Sequence, residues 1–558
     1  MALAASPAAL PADLAVSSTL SHGLRSGSRQ VLPARKAQGR RGDVSEPHCL
    51  TSRRAGAFAV TLATASSMRR GRRCKLTATG EATGAVQEAV VVGAGPAGLA
   101  AALMLSQRGW KVKVLEKTED PASYDPGKGF MYLIDGRGQK CLQELNPELF
   151  TKLVESSVGM ADAKIGVLTP KGLTERVNPI KDAARKSYWI PRHAFVGLLL
   201  EEAKKKENIS LSVEVEIDDI VFDGQFHVKG TSSDAPLEGL AGSLLVGADG
   251  YRSVVRDKLE SFDGAKGHFA VDARSSPSAG LRYKVLTLPG EFKLETPAGE
   301  KEFSSDGFYA IRGVASSKAK QKLGLIPVRS EFGTRTANLI TYEDDVVWEA
   351  DTLESFKAYA QEQWPHFPLE ELVSEEELTR FAQNRGGRFP KPQHCRSAMW
   401  LPDDSDHGAA VLIGDSLHSL PPDIGQGVNS ALEDVTVLAR CLDTAGRGAT
   451  RSAARAYEDA RMPDVRALID IVQVAAPFQY SQAPWRGRLW NISFLTRFLL
   501  NKLVPKFFDL PLFLLIQQSE RSYSEIWRLG RRGARRATLV LGGTALAAGA
   551  VVRKLLLG

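Results

Sequence analysis

Paired cysteines are missing from this 558-residue sequence. Its five cysteines, Cys49, Cys74, Cys141, Cys395 and Cys441, show no paired spacing, which argues against a disulfide framework, a zinc site and a dithiol redox centre. Acidic residues are scarce at the start: residues 1–80 hold 13 Lys/Arg against three acids, Asp13, Asp43 and Glu46. That leader carries +10 of a total of +8, so the rest of the chain sums to −2 and its basicity is no nucleic-acid footprint. Long apolar runs are lacking too. The last one, Ala537 to Val552, has 16 residues, or about 24 Å as a helix, short of the roughly 30 Å bilayer core. No internal repeat is visible.

What the leader does contain is Ala, Ser and Arg without a strong helical or strand period. Over residues 1–84 this reads as an organelle transit segment, in plastid style more than mitochondrial, with a disordered basic tail as the other reading. The hydrophobic content of 43% and the length suit a large core shared by two intimately joined domains.

Three separated segments carry the chemistry. The first opens with Ala89 to Val92, an apolar run expected as a buried parallel strand, and continues Gly93-Ala94-Gly95-Pro96-Ala97-Gly98. Gly93 permits a tight turn, Gly95 lets backbone approach a pyrophosphate, and Gly98 allows close helix–strand packing. Leu99 to Arg108 reads as a helix whose amino end faces the phosphates. Lys111 to Leu115 reads as the second strand. It ends at Glu116-Lys117, where a carboxylate can accept from a ribose diol. An acidic strand end suits FAD or NAD rather than a phosphorylated ribose; a Gly-rich turn without ligand is the bland alternative.

The second segment is Gly247-Ala248-Asp249-Gly250 and the third runs from Gly414-Asp415 to Asn429. After a buried strand, Ala410 to Ile413, Asp415 is placed to accept from a polyol hydroxyl. Pro421-Pro422 forces an extended turn, and Gly425-Gln426-Gly427-Val428-Asn429 starts a helix. That helix end offers backbone donors to a carbonyl that becomes anionic on reduction, a need a flavin has.

The set GAGPAG, GADGYRSVVR and GDSLHSLPPDIGQGVNSALED resembles the FAD-dependent aromatic hydroxylases and epoxidases, and within that group the kynurenine 3-monooxygenases, over roughly Val86 to the C-terminus. Gly127 to Gly138 and Arg461-Met462-Pro463-Asp464 match in kind. The resemblance implies an α/β fold: a Rossmann-type FAD-binding domain like that of p-hydroxybenzoate hydroxylase, interleaved with a β-rich substrate domain, and a helical C-terminal region. It implies FAD, with NADPH or NADH as reductant and O₂ as the source of one transferred oxygen. No metal and no protein nucleophile is needed. Cofactor contacts then fall on Gly93 to Gly98, Glu116, Lys117, Arg192, Asp249, Asp415, Pro422, Gly425, Gly427, Val428 and Asn429. Arg192 could instead be an exposed helix-start arginine, Asp249 a turn residue, and His418 reads as structural support.

The expected boundaries are 85–264 for the first part of the FAD-binding domain, 265–402 for the substrate domain and 403–450 for the second part. A helical region, 451–530, and a tail, 537–557, follow. The substrate sheet is expected from Gly280 to Leu288, Gly307 to Arg312 and Ala337 to Tyr342, while Leu211 to Ile217 and Ile220 to Val228 read as alternating strands. The tail, flanked by Arg531-Arg532 and Arg535-Arg536, reads as a membrane anchor or as an amphipathic helix packed on the protein.

Substrate contacts depart from the family's. Its carboxylate-gripping arginine falls at Lys164, its tyrosines near Ile180 and Phe513, and its asparagine near Ala475. Lys164 and Phe513 are therefore the substrate candidates, in a less polar cavity suited to a small aromatic or lipophilic compound other than kynurenine. Reduction of a prenyl chain, or flavin binding without turnover, are the competing functions.

Overall fold

The structure, a computed structural model, describes residues 86–557 apart from 126–128, 130, 162, 177–185, 233–236, 315–321, 404–407 and 481–482. The transit-leader reading and Ile180 lie outside the described residues.

β-branched, wholly buried residues make Glu88–Val92 the centre of a six-stranded sheet. Across it the order is Met399–Trp400, Ala410–Leu412, Leu244–Gly247, Glu88–Val92, Lys111–Leu115 and Ile209–Ser212. All pairings are parallel except that of the Met399–Trp400 edge. The Ala/Leu-rich helix Pro96–Gln107 lies against it, almost entirely buried. The three motifs leave from the carboxyl ends of three adjacent strands, where open α/β sheets bind their ligands.

A second, seven-stranded sheet runs Gly387–Arg388, Arg282–Pro289, Thr334–Thr341, Lys322–Leu325, Phe308–Arg312, Ile165–Thr169, Gly172–Arg176. The helices Leu353–Gln363 and Glu375–Gln383 cover it, with Trp364, Phe356 and Phe381 filling the space between. The two last strands correct the expected boundaries. Ile165–Thr169 pairs in parallel with Phe308–Arg312, so part of the 85–264 segment belongs to the substrate sheet. Conversely, Met399–Trp400, expected in 265–402, is an edge strand of the FAD-binding sheet. The first error comes from pairing at long sequence separation, which a local pattern does not record; the second is a strand of only 2 residues, paired with the nearby Ala410–Leu412 and too short to show a pattern of its own. A smaller correction falls at residues 216–231. The strands are Glu216–Phe222 and Phe226–Thr231, and the turn is Asp223-Gly224-Gln225, with Gly224 at φ +92°.

The C-terminal region packs four helices: Thr450–Ala475, Pro484–Leu503, Leu512–Leu515 and Tyr523–Leu557. The last is one continuous 35-residue helix. It joins the regions expected at 451–530 and 537–557, because Arg531 to Arg536 contains no proline and is rich in good helix formers. Among the described residues no helix is long and apolar enough to cross a membrane.

One buried cation ties the substrate sheet together. Arg335, 2% exposed, donates to the carbonyls of Gly290, Ser304, Gly307 and Ile326, and desolvation pulls its pKa down to about 10. Arg335→Leu removes these donors and orphans buried carbonyls. A loss of about 3 kcal/mol or more is expected, read from denaturant unfolding.

Candidate active site

At the amino end of the Pro96–Gln107 helix the chain is shaped by what it leaves open. Gly93 sits at φ +102°, and a Cβ there would meet the Ala248 carbonyl at 2.5 Å. A Cβ on Gly98 would lie 1.9 Å from the Gly93 carbonyl, so helix and turn touch through bare backbone. Gly95 is the opposite case: nothing lies within 4 Å of a Cβ built on it. No side chain caps this helix, and its first N–H groups face that space, as a pyrophosphate requires. Glu116 closes the turn from the next strand. Its Oε2 accepts from Ala94 N–H at 2.8 Å, and Oε1 accepts from the Thr118 N–H and hydroxyl at 2.9 Å. Oε2 keeps a lone pair for a ribose hydroxyl. Lys117 follows it on the surface.

The other end of the cleft is the amino end of the helix Gly427–Ala445, also without a side-chain cap. Gly427, like Gly95, faces open space. Gly425, at φ +63°, makes the turn after Pro422 and leads backbone into that helix, while Val428 is half-buried beside it. Asn429 departs from the expectation. Its Oδ1 accepts from Asp135 N–H at 2.9 Å, and its Nδ2 donates to the Leu133 and Gly425 carbonyls at 2.8 and 2.9 Å. The side chain is a fully buried brace, and only the backbone at this position is free for a cofactor.

Between the two helix ends, Asp415 opens onto the cleft while protein surrounds it, and desolvation holds its carboxyl above the ordinary range. Tyr132 lies within electrostatic range of both Arg192 and Asp415, and burial, against the Arg192 charge, raises its pKa. Asp249 lies at the same strand ends but has its own task. Ser253 hydroxyl donates to its Oδ1 at 2.6 Å and Val255 N–H to its Oδ2 at 3.1 Å, so Asp249 braces the first turn of the helix Val254–Asp263, which Ser253 itself caps. Its reading as a turn residue before a helix is the one these bonds support.

The buried network that holds these pieces was not foreseen. Asp434, fully buried on the Gly427 helix, accepts from Gly414 N–H at 2.7 Å, faces His418 Nε2 at 2.8 Å and is ion-paired to Arg461. His418 and Arg461 pull its pKa down against desolvation. Arg461 also meets Glu433 at 2.8 Å and donates to the Ser430 carbonyl at 3.0 Å. Arg137 adds a second buried guanidinium, near Asp135 and over the Tyr523 ring at 4.4 Å. A sequence signal existed, since Asp434 falls on the same helix face as Ala431, Leu438 and Leu442, where a charge needs a partner. His418 is structural support, as expected.

Beside the Gly427 helix end lies a cavity of about 100 Å³. Leu133, Met160, Ile424 and Phe513 make its apolar wall, Gln426 and Lys186 part of its polar one. Phe513, one of the two substrate candidates, therefore lines this cavity. Lys164, the other, is exposed at the start of Ile165–Thr169 and does not line it. The lining is also more mixed than the expected apolar one. Nearby, Asp423 is wholly buried, accepts from the Ser278 hydroxyl, and its carbonyl accepts from Gln479. Burial pushes its carboxyl up to about 7.

Glycines that leave room for phosphate and ring, two uncapped helix ends facing one cleft, and a carboxylate at each ribose or polyol position fit FAD. These features define a dinucleotide-binding α/β flavoprotein. Residues 87–275 and 387–472 match the profile described as the FAD binding domain. A kynurenine 3-monooxygenase of Cryptococcus neoformans var. neoformans serotype D is 27% identical over 419 residues, 69% of this chain and 77% of its own. One from Salinispora arenicola is 27% identical over 482 residues, 83% of this chain and 96% of its own. A solved 2-methyl-3-hydroxypyridine-5-carboxylic acid oxygenase shares the fold at TM-score 0.51 and 20% identity, over 72% of this chain and 92% of its own. The chain is similar to the FAD-dependent aromatic hydroxylases, and it is a monooxygenase that uses FAD with NAD(P)H as co-substrate.

Two outcomes follow from this geometry. Gly95→Val places methyls where no protein atom lies, so folding and Tm should be unchanged while bound FAD falls at least ten-fold, read from visible absorbance per chain. The second concerns Asp423, which holds its proton to about pH 7 when folded but releases it near 3.8 when unfolded. The folded state then binds the extra proton between those values, so stability falls as pH rises from about 4 to 7, by up to ~1.4 kcal/mol per unit. Asp423→Asn should remove that slope, its advantage over the parent growing across the window and levelling above it, in unfolding curves taken at several pH values.

Proposed function

We propose that the chain hydroxylates a small aromatic or lipophilic substrate other than kynurenine, with NADPH as the reductant, at an organelle membrane reached through a plastid-type leader. The observation that carries the substrate reading is the pairing of Phe513, in the wall of the inner cavity, with Lys164, exposed and outside it. With Lys164 turned to solvent, no guanidinium among the described residues lines the cavity to make the forked contact an arginine makes with a carboxylate. A ring lacking an amino-acid head therefore suits the site better than kynurenine does.

FAD supplies the activation of oxygen when bound, so the protein's residues have to place and shield rather than attack. Leu133, Met160, Ile424 and Phe513 exclude water and seat an aromatic ring beside the Gly427 helix end. Gln426, held by Tyr523 hydroxyl at 2.7 Å and itself donating to Asp135 at 3.0 Å, offers a fixed polar edge to orient a substrate hydroxyl or amine. The free N–H groups of Gly427 and Val428 stabilise negative charge at the cofactor's carbonyl edge.

Support for membrane attachment is an uncovered stripe on Pro484–Leu503: Trp485, Leu489, Ile492, Leu499 and Leu503, all on one helical face. Arg531 and Arg535 add positive charge on the last helix.

The reading is tested by following NADPH oxidation and O₂ uptake together with a panel of phenols, anilines and lipophilic ring compounds that includes kynurenine. At least one compound should stimulate both, in equal amounts, with kcat/KM ten-fold or more above that of kynurenine. Kynurenine as the best substrate would overturn the substrate reading. Anaerobic saturation of a double bond without O₂ uptake would move the chain to the prenyl-reductase class.

A further inference from the structure

A second cavity, of about 280 Å³, lies among the C-terminal helices and is larger than the one beside the flavin site. The helices Thr450–Ala475, Pro484–Leu503 and Tyr523–Leu557 and the short Leu512–Leu515 turn wall it. Its apolar surface is aromatic: Trp490, Phe494, Phe513 and Trp527. Trp490 and Phe494 stack with ring centroids 5.4 Å apart, and Trp490 Nε1 donates to the Val474 carbonyl at 3.0 Å, which leaves the indole's polar atom satisfied and its faces apolar.

Two guanidiniums enter the same cavity, Arg497 from one helix and Arg531 from another. No acidic residue lines it, and among the described residues neither arginine has a carboxylate partner. Their neighbours differ in this respect: Arg532 pairs with Asp509 at 2.6 Å, and Arg521 is ion-paired to Glu525. Arg497 is half-buried, and desolvation lowers its pKa, so its charge is held at a cost that an anion would remove. Arg531 is exposed, with its guanidinium 5.8 Å from the Trp527 ring.

The geometry points to a binding site for a single-chain anionic amphiphile, its head on Arg497 and Arg531 and its chain among Trp490, Phe494, Phe513 and Trp527. The site is separate from the substrate cavity, with which it shares a single lining residue, Phe513. It does not depend on the substrate proposed above.

The test is isothermal titration of the full-length, FAD-loaded protein with monomeric dodecanoate, 1-dodecanol and inorganic phosphate, each below any aggregation threshold. Dodecanoate should bind one per chain, at least ten-fold more tightly than the neutral alcohol, and phosphate alone should neither bind measurably nor displace it. In Arg497→Gln with Arg531→Gln, dodecanoate should weaken to the level of the alcohol, with FAD content and Tm unchanged. Arg535→Gln, outside the cavity, should keep full affinity. Equal binding of acid and alcohol, an equal loss in Arg535→Gln, or displacement of dodecanoate by phosphate would each overturn the site. So would binding only to mixed phosphatidylglycerol–phosphatidylcholine vesicles and not to the monomer, which would mark a membrane surface instead.

Discussion

The flavin site depends on one carboxylate that never touches the cofactor. Asp434 has no exposed surface, yet it holds the Gly414 backbone, His418 and Arg461 at once. Each partner comes from a different piece: the loop that presents Asp415, the strand after it, and the long helix Thr450–Ala475. Burying a lone aspartate would be prohibitive, and burying it with a guanidinium and an imidazole is tolerable only when the geometry leaves little slack. That demand is what makes the pair useful here. It sets the distance between the Asp415 loop and the amino end of the Gly427 helix, the two features that must grip opposite parts of one flavin.

Around this hub the chain spends charge inside and space outside. Arg461, Arg137, Asp135 and Glu433 interlock beneath the site, with Tyr523 over both guanidiniums. Where cofactor belongs, by contrast, the residues are glycines with open space before them. Rigid support and open cradle are complementary requirements. A loose base would let the cleft close on itself, and a filled cradle would exclude the pyrophosphate.

How legible this was in the sequence follows from the range of each interaction. The strand–turn–helix around Gly93 to Gly98 and the acidic end of the next strand at Glu116 were readable, because short motifs on strand ends have one geometry available to them. Asn429 and Asp249 were read as cofactor contacts from their motif positions; the Asn429 side chain is bonded to Asp135 and Leu133 from far along the chain, and that of Asp249 to Ser253 and Val255 just after it. The sheet membership of Ile165–Thr169 was hidden, since a strand's partner across more than a hundred residues leaves no local trace, and that of Met399–Trp400 because 2 residues are too few to show an alternation. Lys164 was placed in the substrate cavity by likeness to a family position, and a shift of a residue or two at a strand start is enough to turn such a side chain to solvent.

The continuous helix from Tyr523 to Leu557 has a mechanical meaning. At its first turn, Tyr523 hydroxyl is bonded to Gln426, the residue immediately before the flavin-facing helix. Its 35 residues make a rod about 52 Å long. The near end is clamped in the catalytic heart and the far end projects well away from it. A displacement of the distal end therefore acts on Gln426 through a long lever arm.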